Sequence, residues 1–341
     1  MSAPCVLVAP DSFKGTMTAA QVAAALAAGV RAAGGTAVER PLADGGEGTL
    51  AVLSAVYGGR TVEREVTAPD GRRVRAGFVL DEDTRVAVVE TAAASGLHLV
   101  DPDTVDAYAA TSAGTGELLV AAVECGAREV LLGVGGSGCS DGGLGALRAI
   151  DDVGGLGGAR LTVLCDVLTP YEESARLFGP QKGADPATVE RLTRRLHKTA
   201  GRLPRDPRGV PRTGAAGGLS GALWAAHDAT LVQGIDTVLD RLRFSDLLAG
   251  ADLALTGEGR LDGQTEHGKV VDGVTRWAAR AGVPVVAVVG RNDADPDLLD
   301  RLGLVDAVEA GDPDALAAAA ADLTTTYLHP DPSRSKEVTA P

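Results

Sequence analysis

"VLVAPDSFKGTMTAAQVAAALAAGVRAAG", residues 6–34, decides the fold. Val6–Ala9 is an unbroken apolar run too short for a helix, which predicts a buried strand. A polar turn follows, and then an alanine-rich stretch whose apolar residues recur at helical spacing, with Thr16 or Thr18 available as its cap. Residues 37–42 repeat the strand signal, "ADGGEG" breaks the chain, and another helix is expected near Thr49. Two strand-loop-helix units in succession predict a Rossmann-like parallel α/β sheet.

The next segment, "TVEREVTAPDGRRVRAGFVLDEDTRVAVVE", alternates apolar and polar residues, with turn signals at Pro69-Asp70-Gly71 and Asp81-Glu82-Asp83. That pattern predicts an antiparallel meander. Buried strands are expected at 130–134, 161–165 and 253–256, and 205–218 reads as a long loop. Residues 284–289 and 307–309 resume the βα rhythm, with a helix over 314–324. The expected architecture is two α/β domains, the second inserted into the first. Residues 1–60 plus 275–328 form a discontinuous Rossmann-like domain, 61–274 the insertion with the meander and glycine-rich loops, and 329–341 a disordered tail.

At 341 residues the chain suits about two domains. Its net charge of -14 argues against nucleic acid or an anionic membrane surface as partner. No apolar run approaches the roughly 20 residues of a membrane span, and no basic segment precedes the first apolar run, so a cytoplasmic protein is expected. The four cysteines show neither C-x-x-C pairing nor histidines at ligand spacing, which argues against zinc or a disulfide framework. Only five of the 32 basic residues are lysine, and three of them, Lys14, Lys182 and Lys269, stand beside glycines. A compact ammonium suits a tight glycine loop around an anionic oxygen better than a planar guanidinium does.

An aspartate followed by glycine just after an apolar run recurs in "PLADGGEG" and "GVGGSGCSDGG", and more loosely in "GEGRLDGQ". Loops at the carboxyl ends of parallel strands converge, so Asp44, Asp141 and Asp262 are expected to face one cleft as candidate magnesium ligands. Asp-Gly is also ordinary turn chemistry, and for any one such loop the turn reading is favoured; their recurrence after strands shifts the balance. "APDSFKGT" sets Asp11, Ser12 and Lys14 directly after the first strand. "GQTEHGKV", residues 263–270, comes close to a P-loop but fails it twice: it follows its strand at a distance, and Val270 lacks the metal-binding hydroxyl. What remains is a loop that brings Lys269 to a helix N-terminus, where anions are favoured. His267 beside it is a base by chemistry, although exposed histidines more often have structural roles.

In order along nearly the whole chain, "APDSFKGTMTA", "PLADGGEGT", "SAGTGELL", "GVGGS" followed by "DGG", "CDV", "FGPQKGA", "GAAGGLSG" and "LTGEGRLDGQTEHGKV" resemble the bacterial glycerate kinase family, which is unrelated to P-loop kinases. The resemblance implies ATP-dependent phosphorylation of D-glycerate, most often at the 2-hydroxyl, with ATP and Mg2+ as cofactors. It implies small-molecule partners and is compatible with an oligomer. Matched residue by residue, the motif positions are Asp11, Ser12 and Lys14; Asp44, Gly45, Gly46 and Glu47; Gly135, Gly136, Ser137 and Asp141; Gln181 and Lys182; and Glu258, Arg260, Asp262, Gln264, Thr265 and Lys269. Where the family usually carries Thr-Asn before the aspartate, this chain has Cys139-Ser140, which makes the substrate pocket the place of departure.

Roles follow from side-chain chemistry and not from the resemblance. Asp44, Asp141 and Asp262 are the metal candidates, and Lys14 and Lys269 neutralise phosphoryl charge. Asp11 or Glu258 orients the substrate hydroxyl, and Arg260 clamps its carboxylate. Asp11, Lys14, Asp44, Glu258 and Lys269 form the catalytic set. Ser12, Gly45, Gly46, Glu47, Gly135, Gly136, Ser137, Gln181, Lys182, Arg260, Gln264 and Thr265 form the substrate- and phosphate-binding set. A kinase of a related hydroxy acid, a phosphatase or mutase of small phospho-acids, and a non-enzymatic hydroxy-acid sensor remain open alternatives.

Overall fold

Val6, Leu7 and Val8 have no exposed surface: their strand has a parallel neighbour on each side, and helix side chains such as Leu26 and Leu316 join Val6 and Val8 in one core. The computed structural model describes residues 3–101 and 103–328; the expected disordered tail lies outside the described residues. The strands, in chain order, are β1 (Cys5–Val8), β2 (Thr36–Glu39), β3 (Arg60–Thr67), β4 (Arg73–Asp81), β5 (Val86–Glu90) and β6 (Glu129–Gly133), then β7 (Arg160–Cys165), β8 (Thr230–Gln233), β9 (Leu253–Thr256), β10 (Val285–Val289) and β11 (Asp306–Glu309). They form two sheets, ordered β11-β10-β9-β1-β2 and β3-β4-β5-β6-β7-β8. The molecule is mixed α/β, as the sequence predicts.

The first sheet is parallel throughout. Its apolar side chains pack under the helices Ala19–Ala32 and Pro313–Leu328. Thr18 caps the former in a capping box with Gln21, which satisfies amides that would otherwise lack partners. The two helices approach so closely that a Cβ on Gly29 would lie 2.0 Å from the Ala317 carbonyl oxygen, which only an alanine- and glycine-rich surface permits.

In the second sheet β3, β4 and β5 pair antiparallel, which is the expected meander, whereas β5 to β8 run parallel. The predicted strands at 130–134 and 161–165 correspond to β6 and β7 within a residue or so. Strand β8 has no counterpart in the sequence reading, since "TLVQ" is short and only half-buried.

The chain divides into residues 1–43 with 238–341, and residues 44–237. The sequence reading set these crossings near 60 and 275, and both move for identifiable reasons. β9 pairs directly with β1, Val6 opposite Leu253, so 253–274 belongs to the first unit and not to the insertion. Residues from Asp44 onward lie on the second sheet, where the Gly45 carbonyl accepts from the amides of Val134 and Gly135. Among the described residues no helix is long and apolar enough to cross a membrane.

Candidate active site

In the first unit, three loops leave the carboxyl ends of β1, β9 and β10, where ligands of parallel sheets bind. After β1, the Asp11 amide donates to the Gly257 carbonyl (2.8 Å), which ties the first loop to the second. Asp11 is buried, and its carboxylate accepts from the Ser12 amide at 2.7 Å. Phe13 and Met17 exchange backbone hydrogen bonds, a turn that leaves Lys14 exposed at its tip. Gly257 must be glycine, because a Cβ there would lie 1.9 Å from the Val288 carbonyl oxygen of β10.

Glu258 follows and is only 6% exposed. Its carboxylate accepts from the hydroxyl of buried Thr265 and lies 3.6 Å from the Lys269 Nζ. Lys269 occupies the N-cap of the helix Val270–Ala281, and its own side chain makes no cap hydrogen bond. A cation at a helix N-terminus opposes the helix dipole by about 0.3–1 kcal/mol, a cost set here against its pairing with the buried Glu258 carboxylate. Asp262 accepts from the Gln264 amide (2.9 Å). Arg260 sits 2.7 Å from Asp293 and 3.3 Å from Asp262. The first of these contacts is an ion pair by distance without hydrogen-bond alignment, since the same Asp293 oxygen has no hydrogen-bond partner. An incoming carboxylate would have to compete with both residues for Arg260. The side chain of His267 lies outside the described residues.

In the second unit the segment Asp44-Gly45-Gly46 runs across the strand ends. A Cβ on Gly45 would lie 2.7 Å from the Leu164 carbonyl oxygen, one on Gly135 2.3 Å from the Gly46 Cα, and one on Gly234 1.9 Å from the Asp44 carbonyl oxygen. These glycines permit backbone to lie on backbone, a sufficient reason for them besides any phosphate. Asp44 is buried and accepts from the Gly46 amide (3.0 Å), and Glu47 is exposed. Glu90, at the end of β5, accepts from the Leu50 amide (2.7 Å) and so caps the helix that follows this segment. Burial raises the Glu90 carboxyl above its usual range.

The loop after β6 carries Gly135, Gly136 and Ser137, and together with Gln181 and Lys182 they line a cavity of about 100 Å³. Five sequence-predicted residues thus meet in one place. The cavity is completed by residues absent from the sequence-derived set, Asp166, Phe178 and Ala216 among them. Asp166 had a signal, since it stands directly after β7 in "CDV". Lys182 is 3% exposed and donates to the Ser137 hydroxyl (2.8 Å) and the Cys139 carbonyl (2.7 Å). Each lysine singled out in the sequence adjoins a left-handed glycine: Gly15 at φ +80°, Gly183 at +82° and Gly268 at +94°. Their association with glycine has a backbone cause, a tight turn at each lysine.

Asp141 departs from its expected role as a metal ligand. Its Oδ2 accepts from the Ser112 amide and hydroxyl and the Gly145 amide, and its Oδ1 from the Gly143 amide. A carboxylate so engaged holds two chain segments together. Asp44 retains an oxygen outside these backbone contacts, and Asp262 has one shared only with Arg260. Among the described residues no cluster of three or more His, Cys, Asp or Glu side chains could hold a metal ion. One carboxylate with phosphate oxygens and water is nonetheless ordinary magnesium chemistry, which Asp44 or Asp262 fits. Burial pushes the thiols of Cys139 and Cys165 up to about 12, which excludes either as a nucleophile near neutrality.

Burial pulls Lys182 down to about 8, against the opposing influence of Cys139 and Asp141. Its unfolded value is 10.5, so between pH 8 and 10.5 the unfolded chain binds the extra proton and stability from this group rises with pH. Thermal unfolding of the wild type relative to Lys182→Met is therefore expected to shift in favour of the wild type between pH 8 and 10. An unchanged difference would place Lys182 in a more hydrated setting.

The chain matches the family described as Glycerate kinase family over residues 6–152 and 154–329. It is 39% identical to a glycerate kinase of Haemophilus influenzae, with 89% of each chain covered. It is 36% identical to the glycerate 2-kinase of Escherichia coli K12, again with 89% of each covered. A solved structure from Salmonella typhimurium LT2, described as a glycerate kinase 2, matches with a TM-score of 0.82 at 35% identity, covering 96% of this chain and 99% of that one. Sequence identity at this level over most of both chains, on the same fold and with the motif residues at the strand ends just described, is membership and not fold likeness alone: this chain belongs to the glycerate kinase family, a family of kinase enzymes.

Proposed function

We propose that the protein transfers the terminal phosphoryl group of ATP to the 2-hydroxyl of D-glycerate, in the cytoplasm, as a step in organic-acid breakdown. The observation that carries this reading is Lys269, held beside buried Glu258 at the N-terminus of a helix. A phosphoryl group asks mainly for positioning and positive charge, and both are assembled there before a ligand arrives. The substrate and the position of attack rest on the names of the relatives, among them the glycerate 2-kinase of E. coli K12.

In the reaction the bond from the 2-oxygen to phosphorus forms, the bond from phosphorus to the ADP oxygen breaks, and the hydroxyl proton leaves to a base. Lys269 neutralises phosphoryl oxygens, and Glu258 holds its ammonium in place. Lys14, exposed on its turn, supplies a second positive charge. Magnesium, when bound with the nucleotide, neutralises further phosphate charge, and Asp44 or Asp262 would hold it.

Phosphorus NMR of the purified protein with D-glycerate, ATP and Mg2+ tests this directly. The expected outcome is ADP and the 2-phosphoglycerate resonance growing together. A 3-phosphoglycerate resonance would move the attack to the other hydroxyl. Phosphate release from phosphoglycerate without ATP would mark a phosphatase, and ligand binding without any turnover a sensor.

A further inference from the structure

Burying a cation removes its hydration, and such a charge persists only where something offsets the loss. Among the described residues no carboxylate forms an ion pair or hydrogen bond with Lys182. Both of its hydrogen bonds go to neutral acceptors, Ser137 Oγ and the Cys139 carbonyl, and none to a carboxylate. An ammonium carries three donors, so one N–H is uncommitted. Asp141, the anion whose charge acts on it, has its oxygens engaged with Ser112, Gly143 and Gly145.

The cavity beside Lys182 has the matching character. Its polar lining is Ser137, Asp166, Gln181 and Lys182, set among the apolar side chains of Val134, Val167, Phe178 and Ala216. At about 100 Å³ it falls well below the roughly 300–1,000 Å³ of pockets for drug-sized ligands, so it is too small to enclose a nucleotide and suits a molecule of a few heavy atoms. One wall is strained. Ala216 holds φ +51°, a left-handed conformation that costs a residue with a Cβ about 1–2 kcal/mol, and Gly217 and Gly218 continue it.

We propose that this cavity is the subsite of the small hydroxy acid itself, its carboxylate on the Lys182 ammonium and the Ser137 hydroxyl, and its own hydroxyls facing Asp166. The identity of the acid as glycerate rests on the function proposed above. That the cavity takes a small carboxylate stands on the buried charge and the volume. The assignment moves carboxylate recognition from Arg260, which already lies against Asp262 and Asp293, to Lys182.

The test compares D-glycerate with D-glyceramide, which has the same shape without the charge, at saturating ATP and Mg2+. In Lys182→Gln, kcat/KM for D-glycerate is expected to fall about 100-fold or more, with less than about a tenfold loss for D-glyceramide and the KM for ATP little changed. Equal losses on both substrates, or a rise confined to the KM for ATP, would overturn the assignment. Should Lys182→Gln fail to fold, Val167→Phe narrows the same cavity with the lysine intact. A raised KM for D-glycerate supports the subsite, and an unchanged one overturns it. If the wild type shows no turnover, the proposed function fails on its own. Calorimetric titration of the wild type and Lys182→Gln with D-glycerate alone still reads the cavity: binding lost in the variant supports the subsite, and equal binding, or none in the wild type, overturns it.

Discussion

Lys269→Ala is expected to lower kcat for phosphoryl transfer by about 10²–10³-fold while the protein stays folded, the scale seen when one preorganised charge-stabilising group is removed. The fold survives because Lys269 is a poor N-cap, uses its charge against the helix dipole and makes no cap hydrogen bond. Its contact with Glu258, at 3.6 Å, is a charge pairing and not a close hydrogen bond. Removing it does not take away the hydrogen bond that Glu258 accepts from the Thr265 hydroxyl. Lys269→Arg separates charge from shape: a planar fork restores the charge but not the compact ammonium, so only partial recovery is expected. Steady-state kinetics with both variants, beside their unfolding midpoints, make the measurement. Near-native turnover in Lys269→Ala would remove this lysine from the chemistry.

Gly234→Ala should be the most damaging single methyl group in the second unit. Its Cβ would fall 1.9 Å from the Asp44 carbonyl oxygen, 2.6 Å from the Asp44 carbonyl carbon and 2.8 Å from the Gly45 Cα. All three are backbone atoms, so no side chain can swing aside. Gly45 is itself pressed against Leu164, which leaves the crossing no direction in which to yield. Overpacking of this kind costs about 3 kcal/mol, roughly 6–12 °C in melting temperature for a unit of this size. Gly250→Ala is the control, since its nearest atom is 3.9 Å away and its melting point should barely move. A Gly234→Ala protein that melts with the wild type would show that the backbone crossing can yield to a methyl group.

The parts of this molecule legible in its sequence are those whose causes are local. β1 reads as a buried strand because residues covered on both faces form an unbroken apolar run, and β3 to β5 read as a meander because a half-covered sheet imposes alternation. Thr18 caps its helix with Gln21 three residues on. What stayed hidden depends on partners far along the chain. Nothing in "LALT" states that it pairs with β1, so sequence alone sets the unit boundary too late. Asp141 resembles Asp44 as an Asp-Gly loop, and it is Ser112, 29 residues away, joined by the Gly143 and Gly145 amides, that makes it a structural carboxylate. Gly45 and Gly135 show the same ambiguity from another side. A missing side chain admits a phosphate or a second backbone equally well, and the sequence does not say which.

β1 has one neighbour that is made early and one that is made late. The Thr256 hydroxyl that closes on the Ala9 carbonyl comes from 247 residues downstream. During synthesis from the N-terminus, β1 and β2 emerge first yet cannot complete their sheet until β9 exists, so one apolar edge waits unpaired. The unit spanning residues 44–237 is continuous and waits for nothing. Order of assembly is thus written into the way the chain is threaded: the first sheet to be started is the last to be finished.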